Sequence, residues 1–115
     1  MNKLFLHIEG LTVLILSITV YAYQDYSWLL FFILLFVPDL SMMGYAFNKK
    51  IGALVYNAFH TYSLPILILV LGVVMENQTL LSIGIIWTSH IGMDRVLGYG
   101  LKYPTDFKDT HLNRV

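Results

Sequence analysis

Four apolar runs separated by three-residue polar breaks make up most of this 115-residue chain, and they leave little choice of fold. The runs extend from about Leu4 to Ala22, Tyr26 to Phe47, Ile51 to Met75 and Thr79 to Gly98. Each is long enough for the roughly 20 residues that carry a helix across about 30 Å of hydrocarbon. The breaks, "YQD", "NKK" and "ENQ", suit only antiparallel neighbours. A soluble bundle would carry a polar stripe along each helix, and "PILILVLGVVM" in the third run carries none. Charged residues are 12% of the chain, against about 25% in soluble proteins. The predicted architecture is an all-α membrane protein, an antiparallel up-down-up-down four-transmembrane-helix bundle over 1–98, with a short polar tail over 99–115.

The formal net charge of +0 gives no reason to expect a nucleic acid as partner; the lipid bilayer is the expected one. Cysteine is absent, which removes disulfides, thiolate metal sites and a cysteine nucleophile together. The N-terminal "MNKLFLHIEG" has no small-residue cleavage site after its apolar run, so it reads as a retained span. With four crossings, Lys3, Lys49, Lys50, Arg95, Lys102, Lys108 and Arg114 all fall on one side, which by the positive-inside rule is cytoplasmic. Both termini then lie in the cytoplasm. Tyr21, Tyr23, Tyr26 and Trp28 form part of an aromatic belt on the other side. Arg95 is expected to snorkel to the cytoplasmic headgroups.

Ionisable side chains gather at one depth. Counted inward from the cytoplasmic ends, Glu9, Asp39, His60, His90 and Asp94 lie four to nine residues deep, about 6 to 14 Å into the bundle. His90 and Asp94 stand at i, i+4 on one helical face, as do Tyr56, Asn57, His60 and Ser63. His7 points away from the layer. Pro38 and Pro65 each remove a backbone hydrogen bond beside it, and in a membrane such breaks persist where side chains or water satisfy the freed carbonyls.

An ionised carboxylate or imidazolium in hydrocarbon costs about 2.5 kcal/mol or more. The five groups must therefore neutralise one another, take up protons or share a cation. Two imidazoles and three carboxylates without sulfur suit a divalent metal, zinc first and then iron or manganese. In that arrangement His60, His90 and Asp94 hold the metal, Asp39 completes the shell, and Glu9 is the candidate general base, with Tyr56, Asn57 and Ser63 in support. "GYG" at Gly98–Gly100 ends a helix and is read as a helix stop.

The strings "EG" at Glu9–Gly10, "PDLSMMGY", "YNAFHTYSLP" and "HIGMDRVLGYGLKYPTDFKDTHL" resemble a family of small bacterial four-span membrane proteins of unknown function. The resemblance covers nearly the whole chain and implies a multi-pass protein of the bacterial inner membrane. In that family an arginine often stands two residues before the glutamate, where this chain has His7. The resemblance also draws in the tail, where Tyr103, Asp106 and His111 would lie at the cytoplasmic mouth, His111 as a candidate outer ligand or proton carrier. A weaker likeness, limited to the Pro-Asp pair and the scattered histidines, is to membrane-bound metal-dependent hydrolases.

Three functions follow. The first is a metal-binding membrane protein, a metal-dependent hydrolase on a lipid-borne or small substrate. The second is a small proton-coupled transporter using Glu9, which at this size would need a homodimer to build a path. The third is a structural or accessory membrane protein whose polar layer locks helix register.

Overall fold

A computed structural model of the chain describes residues 1–105 and 108–114; Asp106 lies outside the described residues. Helix α1 spans Asn2–Tyr23 and α2 spans Trp28–Leu34. A 3-10 helix follows over Val37–Ala46. Then come α3 (Lys49–Phe59), α4 (Ser63–Val74), α5 (Gln78–Leu97) and the short α6 (His111–Arg114). No strand is present among the described residues; Lys102 and Thr110 form an isolated antiparallel bridge in the tail.

Polar residues in or just beyond the breaks supply the caps. Ser27 Oγ accepts from the Leu30 amide at 3.2 Å, Asn48 Oδ1 from Ile51 at 2.8 Å and Asn77 Oδ1 from Leu80 at 3.1 Å, each satisfying an amide that the first helical turn leaves open. Gly98, at φ 91°, ends α5 in the left-handed region that glycine enters at no steric cost.

Three helical stretches are long and apolar enough to cross a membrane: Asn2–Tyr23, Trp28–Ala46 and Lys49–Val74. The second and third, expected as single spans, each break in the middle. Beyond Pro38 the second continues as a 3-10 helix, and the third is interrupted from His60 to Tyr62, ahead of Pro65. The fourth run folds as the 20-residue α5 but is more polar than the other three and takes the opposite position in the packing. Ten residues of α5 are buried, against three of the 22 in α1. Helices α1 and α4 both pack along α5, and the 3-10 helix packs on α3. The outside is apolar, with Leu4, Leu16, Leu29, Phe32, Leu54, Val73 and Val74 all exposed, as expected of a surface that faces lipid rather than water.

Close approach of the helices depends on small residues. A Cβ on Gly10 would lie 2.3 Å from Arg95 Cβ, and one on Gly92 would lie 2.9 Å from the Gly10 carbonyl oxygen. Where α4 meets α5, a Cβ on Gly84 would fall 2.7 Å from a Leu69 methyl. Because backbone stands opposite Gly92, Gly92→Leu must push α1 off α5. Overpacking of this kind costs about 1–3 kcal/mol, so thermal unfolding in detergent should move down by several degrees. Leu29→Ala, on the exposed face, should leave it nearly unchanged.

Candidate metal centre

The two breaks place one member of the cluster each. Pro38 lacks an amide hydrogen, so the chain tightens and the Asp39 amide donates to the Phe36 carbonyl at 3.1 Å. Asp39 therefore sits in the first turn of the 3-10 helix, its side chain 31% exposed. At the second break His60 ends α3. Three carbonyls loosened there find side-chain partners: Tyr56 O accepts from His60 Nδ1 at 2.8 Å, Phe59 O from Trp87 Nε1 at 2.8 Å and His60 O from Arg95 Nη2 at 2.9 Å. The other two members, His90 and Asp94, lie one turn apart on α5.

His60 Nε2, His90 Nε2, Asp39 Oδ1 and Asp94 Oδ2 converge. His60 Nε2 is 3.2 Å from Asp39 Oδ1, 3.4 Å from Asp94 Oδ2 and 3.1 Å from His90 Nε2. His90 Nε2 is 3.1 Å from Asp39 Oδ1 and 3.3 Å from Asp94 Oδ2. All four atoms lie within 4.8 Å of one another. A tetrahedron of nitrogen and oxygen ligands about 2.0–2.1 Å from zinc has edges of about 3.3 Å. Five of the six edges here match that value.

Proton accounting points the same way. A carbonyl only accepts, so the His60 Nδ1 contact to Tyr56 puts the ring's hydrogen on Nδ1 and leaves a lone pair at Nε2 when the ring is neutral. Asp94 Oδ2 is buried and has no hydrogen-bond donor. Lone pairs facing one another at these distances are held either by a shared proton or by a cation. The Tyr56 bond is also the outer-shell device that orients a metal-ligating imidazole. His90 Nδ1 is less well served: it is buried and has no hydrogen-bond partner.

The surroundings are rigid. The Tyr56 ring stacks on His60 at 3.7 Å and 6°, and Phe36 meets His90 edge-on at 6.4 Å. Lys102 Nζ stands 4.5 Å from the centre of the Tyr56 ring. The tail reaches this position through Asn57, whose amide donates to the Lys102 carbonyl at 2.7 Å and accepts from the Lys102 amide at 2.6 Å. Burial pushes the Lys102 amine below the usual lysine range, while the carboxylates of Asp94 and Asp39 pull it back. Further along the tail, hydrogen bonds from Arg114 and Thr105 hold Asp109 down at about 2.

Of the residues picked from the sequence, the structure brings together Asp39, His60, His90 and Asp94, with Tyr56 and Asn57 behind them. It leaves Glu9 apart: that residue is exposed on α1 and lines a separate cavity of about 370 Å³ with Tyr62 and Arg95. Ser63 is exposed at the start of α4. His111 accepts from the Leu101 amide at 2.8 Å and so ties the tail rather than the cluster; burial, then the Arg95 charge, push its imidazole below the usual range. His7 donates from Nδ1 to the Val96 carbonyl at 3.0 Å, outside the cluster. Arg95 departs from expectation. It does not snorkel but is 9% exposed, bridging the His60 and Tyr99 carbonyls. Sequence reasoning missed Arg95, Trp87 and Lys102 as supports. Helical phase alone set Arg95 aside, because nothing in α5 itself shows that α3 breaks beside it.

The Asn57 clamp is open to test. Two hydrogen bonds contribute about 1–3 kcal/mol, so Asn57→Leu should free the tail without unfolding the helices. Trypsin should then cut at the exposed Lys108 about tenfold faster or more, while the far-ultraviolet helical signal stays unchanged.

No curated protein and no solved structure matches the chain. A model of a domain of unknown function, DUF4260, matches residues 3–115. An apolar helical chain with a buried histidine–aspartate centre, matched over nearly its full length, is therefore a member of the DUF4260 family.

Proposed function

We propose that this chain is an integral membrane protein that holds a divalent metal, zinc before iron or manganese, and uses it as a hydrolase. The observation that carries this reading is the set of separations among four nitrogen and oxygen atoms of ligand type, 3.1 to 3.4 Å for five of the six. In this reading α1, the α2 to 3-10 stretch, the broken α3–α4 stretch and α5 cross the bilayer as an up-down-up-down bundle. The positive charges place both termini in the cytoplasm of a bacterial cell, with the cluster in the cytoplasmic half.

The roles divide by burial. His60 and His90 are fully buried and Asp94 is 5% exposed, so these three form the inner ligands. Catalytic zinc sites use three protein ligands and keep one position for water or substrate. Asp39, 31% exposed, completes the shell as the ligand that water or substrate would displace, and once displaced it is the group suited to accept a proton from water there. It takes the place that Glu9 held on sequence grounds. When bound, the ion supplies Lewis acidity and makes water acidic enough to react near neutral pH. The Tyr56 carbonyl orients the His60 imidazole, and Arg95 holds the end of α3.

Elemental analysis of detergent-purified protein, prepared without a metal-binding tag, tests the reading. Near-stoichiometric zinc, iron or manganese is expected in the wild type, lost in His60→Ala and His90→Ala and kept in Glu9→Gln. Metal absent from the wild type even after incubation with added ions would sink the proposal and leave a proton-sharing cluster.

A further inference from the structure

Between α1, Tyr62 ahead of α4 and Arg95 on α5 lies the cavity of about 370 Å³ that none of the four cluster residues lines, within the size range of ligand sites. Its α1 wall includes Phe5, Ile8, Glu9 and Gly10. Gly10 lets Arg95 in: the 2.3 Å between a Cβ placed there and the Arg95 Cβ means that this side chain leaves α5 directly against the α1 backbone, beside Glu9. Phe5 and Ile8, 55% and 47% exposed, form an apolar rim on the outer surface.

Three polar groups share this space without being spent on one another. Tyr62 Oη is buried and has no hydrogen-bond partner, a costly state for a hydroxyl. Arg95 has five N–H donors; one reaches the Tyr99 carbonyl at 2.8 Å and one the His60 carbonyl at 2.9 Å. Glu9 is exposed, and no ion pair joins it to Arg95 among the described residues. The charges of Arg95 and Glu9 both act on the Tyr62 hydroxyl. Asp94, a further carboxylate that acts on Arg95, belongs to the cluster and does not line the cavity.

The chemistry that fits has two ends. Arg95 and Tyr62 offer donors to an anion, and a guanidinium matches the oxygens of a phosphate. Glu9 offers carboxylate oxygens, which accept from a cation that carries N–H groups. A bare anion would answer Arg95 and Tyr62 but add a negative charge beside Glu9. A bare cation would answer Glu9 and stand beside Arg95. A zwitterion satisfies both ends at once. The apolar rim, and the place of the cavity toward the N-terminal end of α1 where the positive charges put the cytoplasmic headgroups, make that zwitterion part of a lipid.

We infer that this cavity binds the headgroup of an aminophospholipid, its phosphate at Arg95 and Tyr62, its primary ammonium at Glu9 and its acyl chains running out over Phe5 and Ile8. The inference rests on the reading of the chain as a membrane protein and not on the metal centre.

The test measures lipid bound to full-length protein in a neutral maltoside detergent by native mass spectrometry. Dioctanoyl phosphatidylethanolamine, phosphatidylcholine and phosphatidylglycerol are compared. The ethanolamine lipid should bind about tenfold more tightly than the other two, because choline has no N–H to donate and glycerol carries no positive charge. Glu9→Gln should abolish that preference and leave the glycerol lipid bound at least as well as before. Tyr62→Phe removes a hydroxyl that has no partner to lose, so the lipid-free protein should melt no lower than wild type. The same variant should nonetheless weaken all three lipids about threefold or more. Tightest binding of the glycerol lipid would overturn the inference in favour of a plain anion site. Equal binding of all three lipids, or an unchanged preference in Glu9→Gln, would overturn it outright. Free phosphoethanolamine binding as tightly as the lipid would overturn the lipid assignment in favour of a soluble zwitterion. A chain that stays monodisperse in water without detergent would remove the membrane reading itself.

Discussion

The hydrogen bond from His60 Nδ1 to the Tyr56 carbonyl, 2.8 Å long, is the contact on which the rest of the centre depends. It exists because α3 stops there: the His60 amide turns back to the Asn57 carbonyl at 3.2 Å and leaves Tyr56 O for the ring. The same bond fixes which nitrogen faces inward. With Nδ1 committed, a neutral His60 meets His90, Asp39 and Asp94 with a lone pair, and a proton or a cation must stand between that lone pair and the carboxylate oxygens. A helix unbroken at this point would place the imidazole elsewhere and pair its carbonyls internally.

A break in a membrane helix is stable only if its backbone groups find partners. Here the partners come from α5. Trp87 and Arg95, two turns apart, donate to Phe59 O and His60 O on either side of the histidine, while His90 and Asp94 between them complete the cluster. One helix thus both mends the break and supplies half the cluster. That double duty explains why α5 is the most polar of the long helices and the most buried, and why glycines at its contacts with α1 and α4 are needed to bring backbones so close.

Much of the centre was legible in the chain. Asp39, His60, His90 and Asp94 were recognisable because ionisable groups in long apolar runs are costly, and their depths agree once each run is a helix. Pro38 and Pro65 marked the breaks. Glu9 met the same criterion of depth, yet it faces outward: helical phase fixes which residues share a face but not which neighbour that face meets. Arg95 was misplaced for the converse reason. Its distance from His90 around α5 suggested an outward side chain, whereas the end of α3 lies there and turns the outside of α5 into the inside of the protein.

The sequence by itself determined the helical, apolar character of the chain, the helix stop at Gly98 and the residue types available for a metal. Those are local properties, set by hydropathy and by which backbone groups a residue can satisfy. Only the tertiary structure decided that α5 is the centre of the packing, that Lys102 returns over Tyr56, and that four of five ionisable candidates meet within 4.8 Å. The physical reason is that apolar helices have little preference for one neighbour over another. Their arrangement follows from a few close backbone approaches and from the partners that broken helices and buried charges must find, and such partners are far apart in the chain.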